Sequence, residues 1–198
     1  DFKLKNESDI LKKNCIDEKP YILFLGRINE KKGLELLLDS FKILKNTNQT
    51  IYLVISGTGD PEYVEQIKKH VKKLDLENWV IFTGLVSQDE KIILFKSAKL
   101  FSLISISDIH PRAIEEALTM GVPVVISKES DFPEVMEYNA GIIVNRESKL
   151  IADSFEKLLE DDSLLEELSK NAQKLIKENF LLENQITKFE QVYSSLIH

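Results

Sequence analysis

The chain has 198 residues, 43% of them hydrophobic, enough to bury the core of one domain with an appended helical tail. Its net charge of -7 argues against a general nucleic-acid surface, because neutralising phosphates needs a concentrated Lys/Arg face. The single Cys15 rules out an internal disulfide, the dispersed His residues offer no zinc spacing, and no apolar run reaches the roughly twenty residues a membrane helix needs. A cytoplasmic setting with no signal peptide and no bound metal is therefore expected.

Residues 1–19 are polar and read as a linker or short N-terminal helix starting near Ser8 that adds little core, and residues 20–198 read as one domain. A strand is predicted over Tyr21 to Leu25. A helix follows with Leu34, Leu37, Leu38, Phe41 and Leu44 on one face, then a strand over Ile51 to Ile55. Val64, Ile67, Val71 and Leu74 mark the next helix. Strands are predicted at Trp79 to Thr83 and Leu100 to Ile104, a helix through Ala113, Ile114, Ala117 and Leu118, and strands at Val122 to Ile126 and Ile142 to Val144. From Glu147 the pattern is helical, through Ile151, Phe155, Leu158 and Leu159, then Leu164, Leu168 and Leu175, then Ile186, Phe189, Val192 and Leu196. Near-continuous apolar strands separated by helices predict an α/β fold: a doubly wound, parallel, six-stranded Rossmann-like sheet with extra C-terminal helices. Pro111 suits the start of its helix and Gly121 its end.

In such sheets ligands sit where strand order reverses, usually between the loops after the first and fourth strands. The first loop reads Gly26-Arg27-Ile28-Asn29-Glu30-Lys31-Lys32-Gly33, and the fourth reads Ser105-Ile106-Ser107-Asp108-Ile109-His110-Pro111-Arg112. Each leads into a helix, whose free N–H groups combine with Arg and Lys charges to suit a diphosphate. From position alone, Gly26 serves equally as a plain turn, and Arg27 and Lys32 as solvated cations. Gly57-Thr58-Gly59-Asp60 reads chiefly as backbone shape, and Lys68, Lys69, Lys72 and Lys73 as a solvated helix face. A Rossmann dehydrogenase is disfavoured: Gly26 is not followed by Gly-x-x-Gly, and no acidic residue ends the second strand.

Taken in order, these landmarks resemble the C-terminal, donor-binding domain of retaining glycosyltransferases of family four, over roughly Tyr21 to Leu196. The most specific match is Glu116-Ala117-Leu118-Thr119-Met120-Gly121-Val122-Pro123-Val124-Val125, which corresponds to the family's Glu-Ala-x-x-x-Gly-x-Pro-Val run. Asp108 stands where the family has the first acid of its paired-acid motif. The resemblance implies that Glu116 accepts the ribose hydroxyls of the donor. It also implies that Arg27 and Lys32, in the Gly26-Arg27 and Lys32-Gly33 matches to the family's Gly-Arg and Lys-Gly elements, neutralise the diphosphate leaving group, and that Asp108, one methylene shorter than the family's Glu, faces the donor sugar. Val86 and Lys91 are implied near the base, and Gly57 and Gly59 are kept as weaker donor-binding candidates from their Gly-x-Gly pattern. Relatives follow the first acid with Gly-Phe-Gly, whereas this chain has Ile109-His110-Pro111. Proline removes a backbone donor and Ile109 disfavours a positive φ, so His110 and Arg112 are expected to supply substitute donors.

The implied activity is transfer of a sugar from a nucleoside-diphosphate sugar to an acceptor hydroxyl with retention, in cell-envelope glycan biosynthesis. No cofactor is expected beyond the donor substrate, and no obligatory metal, because Arg27 and Lys32 carry the charge role. The resemblance implies a missing N-terminal acceptor-binding domain. Any peripheral contact with the inner face of the membrane would belong to that half, and the isolated half should transfer little. The alternatives are a catalytically degenerate nucleotide-binding or scaffolding domain of the same two-domain (GT-B) class, a nucleotide-sugar epimerase, or a glycan phosphorylase.

Overall fold

The computed structural model describes residues 7–14, 16–17 and 19–180. Six strands, β1 (Tyr21–Leu25), β2 (Tyr52–Ser56), β3 (Val80–Gly84), β4 (Leu100–Leu103), β5 (Val124–Ser127) and β6 (Gly141–Val144), form one parallel sheet in the order β3-β2-β1-β4-β5-β6. The helices are α1 (Glu7–Lys13), α2 (Leu34–Leu44), α3 (Pro61–Lys73), α4 (Gln88–Ser97), α5 (Arg112–Thr119), α6 (Glu134–Glu137), α7 (Ser148–Leu159) and α8 (Asp162–Asn179). This is the doubly wound sheet the apolar runs predict, with two of the closing helices in place. The third, around Ile186 to Leu196, lies outside the described residues, as does Cys15.

The fold follows from burial on both sheet faces. Every residue of β4 and β5 is buried, as are the first four of β1, so side chains pointing either way meet a helix. Helix α2 packs on α3 and α7, and α5 packs on α8. Helix α5 ends as its sequence predicts: Gly121 takes a left-handed φ of 72°, its N–H donates to the Leu118 carbonyl at 3.0 Å, and the Val122 N–H donates to Ala117 at 2.9 Å. That pair of bonds satisfies carbonyls the helix leaves open and turns the chain directly into β5.

Two expectations need correction. Helix α4 has no counterpart among the predicted elements, because Ile92-Ile93-Leu94-Phe95 form one apolar run rather than recurring every three or four residues. What fixes its start is a capping box: the Ser87 hydroxyl accepts from the Glu90 N–H, while the Glu90 carboxylate accepts from the Ser87 N–H at 2.8 Å. The N-terminal segment also contributes more core than its polarity suggests. Ile10 and Ile16 are buried, Ile16 within the main core, and Lys13 on α1 pairs with Glu90 at 2.7 Å, tying α1 to α4.

The order of strands reverses between β1 and β4, whose loops part at their carboxyl ends. A crevice at this position is the geometric consequence of the winding.

Candidate functional site

Backbone contacts bring the two predicted loops together. After β1 a single 3-10 turn, Glu30–Lys32, ends on Gly33 with a φ of 66°. A Cβ on Gly33 would lie 2.0 Å from the Ile104 carbonyl oxygen, so only glycine permits this approach to the end of β4. The Ile106 N–H donates to the Lys31 carbonyl at 2.7 Å, joining the loops directly. On the other side of β1, the Gly26 N–H donates to Ser56 and the Ile28 N–H to Thr58, so the loop after β1 extends the parallel ladder with the loop after β2. Gly57 (φ 136°) lies so close to Gly26 that a Cβ there would fall 1.9 Å from the Gly26 carbonyl oxygen.

Two adjoining clefts result, sharing Leu25, Gly26 and Arg27 as a common wall. The larger, about 850 Å³, takes in Lys32, Asp108 and Arg112 and lies at the switch point. The smaller, about 320 Å³, takes in Gly57, Val86 and Lys91. Arg27 is exposed at their boundary. Lys32 donates to Asp108 Oδ2 at 2.5 Å, and the Ser105 hydroxyl donates to the same oxygen at 2.8 Å. Lys91 Nζ donates to Glu116 Oε1 at 2.5 Å, bringing the carboxylate on α5 to the lysine on α4. Each acid of the pair is therefore held by a lysine from another loop or helix. All four groups remain partly solvent-accessible, so their charges are available to a ligand.

Not every predicted residue arrives there. Gly59 and Glu116 line neither cleft: Glu116 reaches the smaller one only through its bond to Lys91, and a Cβ on Gly59 would fall 1.8 Å from the Ile28 carbonyl oxygen, so Gly59 serves backbone approach. His110 turns away from the cleft and does not supply the expected side-chain donor to it. Its ring packs on Phe132 at 4.4 Å and Phe180 at 5.9 Å between centroids, with Glu115 at 3.7 Å and Glu134 at 3.8 Å beyond its two nitrogens. The physical reason lies in the backbone: the left-handed φ that Ile109 disfavours falls on His110 instead, at 46°, which directs its side chain towards α6. Ile109 is left 83% exposed. Lys68, Lys69, Lys72 and Lys73 are all exposed on α3, a solvated face as expected.

Other polar groups at the clefts carry no motif. Asn29 Oδ1 in the larger cleft and Ser56 Oγ in the smaller are buried without a hydrogen-bond partner, a costly state for an interior polar atom. Tyr63, on the larger cleft, donates to both oxygens of Glu35 at 2.8 Å; burial and that carboxylate push its phenol well above the ordinary value. Asn29 lies within the loop that strand order singles out, whereas Ser56 is marked only by ending β2. Among the described residues, no cluster of three His, Cys, Asp or Glu side chains is placed to hold a metal ion.

Residues 6–175 match the family of glycosyl transferases group 1. The chain belongs to that family. It is 30% identical over 181 residues to an uncharacterised glycosyltransferase of Methanocaldococcus jannaschii, covering 89% of this chain and 45% of that protein. The fold is that of a glycosyltransferase from Rickettsia africae, with a TM-score of 0.82 and 19% identity over 96% of this chain and 52% of that one. It is also that of Anabaena HepE, solved with UDP and glucose, with a TM-score of 0.78 and 22% identity over 96% of this chain and 51% of that one. The chain thus spans about half the length of these relatives. Among the described residues, no helix is long and apolar enough to cross a membrane.

Proposed function

We propose that this chain is the donor-binding half of a retaining glycosyltransferase that takes its sugar from a nucleoside diphosphate. The observation that carries the reading is the position of Arg27 on the wall common to both clefts, with Lys32 and Asp108 on one side and Lys91, paired to Glu116, on the other. A diphosphate lying across Arg27 directs its sugar into the larger cleft and its nucleoside towards the smaller. Glu116 then accepts the ribose hydroxyls, because a carboxylate matches a vicinal diol. Transfer forms a bond from the acceptor oxygen to the anomeric carbon, breaks the bond from that carbon to the diphosphate oxygen, and passes the acceptor hydroxyl's proton to the departing phosphate. The departing electron pair develops charge on the phosphate, which Arg27 and Lys32 stabilise. The presence of UDP in the structure of Anabaena HepE supports this class of donor.

The chain covers about half of its relatives' length, which supports the reading that the acceptor site belongs to a second, N-terminal domain. Calorimetric titration with UDP, GDP and ADP tests the reading: at least one binds, and Arg27→Ala weakens it by about tenfold or more, in line with a charge-assisted phosphate contact. Failure of all three to bind overturns it. In the protein joined to its second domain, Glu116→Ala abolishes most transfer; unchanged transfer removes the role given to Glu116. The alternative of a non-catalytic nucleotide-binding domain is favoured by one feature, the withdrawal of His110 from the cleft beside the donor-less Pro111. Full transfer by the joined protein excludes it.

A further inference from the structure

We propose that Lys91 selects the base of the donor, favouring uracil over adenine and guanine; this rests on the donor-site reading above. The smaller cleft, about 320 Å³, has room for a single flat base. Leu85, 80% exposed, and Val86 offer apolar surface for its face. The polar side chains lining this cleft are Arg27, Ser56, Thr58 and Lys91; the Glu116 carboxylate lies outside the lining and is bound to the Lys91 ammonium.

Of these lining side chains, the two cations can only donate, whereas the two hydroxyls both donate and accept. The Lys91 ammonium has three N–H donors and spends one on Glu116, leaving two to point elsewhere. Ser56 Oγ is wholly buried and unpartnered, a hydroxyl still lacking the bond its burial calls for. Uracil presents two carbonyl oxygens and one N–H, so it answers donors with acceptors. Adenine presents an exocyclic amino group, whose hydrogens would face the ammonium and be desolvated without an acceptor. Guanine offers one carbonyl, but its adjacent ring N–H and amino group call for a carboxylate or amide, and Glu116 is committed to Lys91 and to the ribose hydroxyls. A buried donor left facing a donor costs more than a made bond gains, so selection acts mainly against the wrong base.

The Glu116 contact gives Lys91 a second, structural role that would affect every nucleotide alike, because ribose and diphosphate are common to all. The ratio of affinities between nucleotides cancels that shared part and isolates the reading of the base. The test is calorimetric titration of the 198-residue chain, as wild type, Lys91→Met and Lys91→Arg, with UDP, GDP and ADP. Wild type is expected to bind UDP at least about tenfold more tightly than ADP and more tightly than GDP, the size of one charge-assisted hydrogen bond. Lys91→Met collapses the ratio towards one, and Lys91→Arg retains most of it. Equal or tighter binding of ADP or GDP by wild type overturns the proposal while leaving the donor site standing. So does a Met variant that weakens all three equally. Binding of none of the three overturns the donor site itself.

Discussion

Lysines stand at both ends of the sheet, but in opposite conditions. At the amino end Lys45 is closed in: 6% exposed, its ammonium 3.3 Å from the centre of the Trp79 ring and donating to the Ile51 carbonyl at 3.2 Å. Burial lowers its pKa to about 8. At the carboxyl end Lys32 and Lys91 pair with acids yet stay partly open to solvent, beside buried oxygens of Asn29 and Ser56 that have no partner. The closed end shows a cation satisfied by its own protein, with a ring face and a carbonyl as substitutes for water. The open end holds bonding capacity in reserve. Unspent hydrogen-bonding capacity, more than charge alone, separates a binding surface from a structural one.

The largest expected effect comes from closing the open end sterically. Gly33→Ala places a Cβ against the Ile104 carbonyl at a backbone φ that alanine tolerates poorly, and should destabilise by about 2–4 kcal/mol in chemical denaturation. A change below about 0.5 kcal/mol would show that the two loops are not locked together. Next is Glu90→Gln, which weakens the cap of the helix carrying Lys91 and the tie to Lys13, at about 1–2 kcal/mol near neutral pH. The Lys13 ammonium and the Ser87 N–H hold the Glu90 carboxyl down at about 2, against an ordinary 4.5. Its contribution is therefore complete above pH 4.5 and lost as pH falls towards 2, so the gap between Glu90→Gln and wild type should close over that window.

The smallest effect sharpens the comparison from the closed end. Lys45 binds its proton less tightly folded, at about 8, than unfolded, at 10.5. The unfolded chain holds more protons between those values, so wild type should gain stability relative to Lys45→Met as pH rises from about 8 to 10.5. A flat difference across that range would mean that the ring and carbonyl fully compensate the burial.

The layered sheet was legible from residues alone because strands covered on both faces cannot alternate; Tyr21-Ile22-Leu23-Phe24-Leu25 has no polar side to show. The two loops at the switch point were legible for the same reason, since position in the winding fixes where they open. What escaped depended on direction in space. Helix α4 hides its start in a Ser87–Glu90 box and its apolar face in an unbroken run. The Lys91–Glu116 pair spans 25 residues and two helices, a meeting that no spacing rule encodes. His110 was misread because local sequence shows that a left-handed residue is hard to place on Ile109 without showing which neighbour takes it, and that choice sends the ring to Phe132 rather than to the cleft.

The most direct test of the contrast between the two ends is NMR: amide shifts of the chain followed during addition of UDP. Perturbations should concentrate at Gly26, Arg27, Gly57, Val86 and Lys91 and extend to Lys32 and Asp108, with Lys45 and Trp79 unmoved. Shifts centred on Lys45 and Trp79, or none at the loops after β1 and β4, would contradict the account.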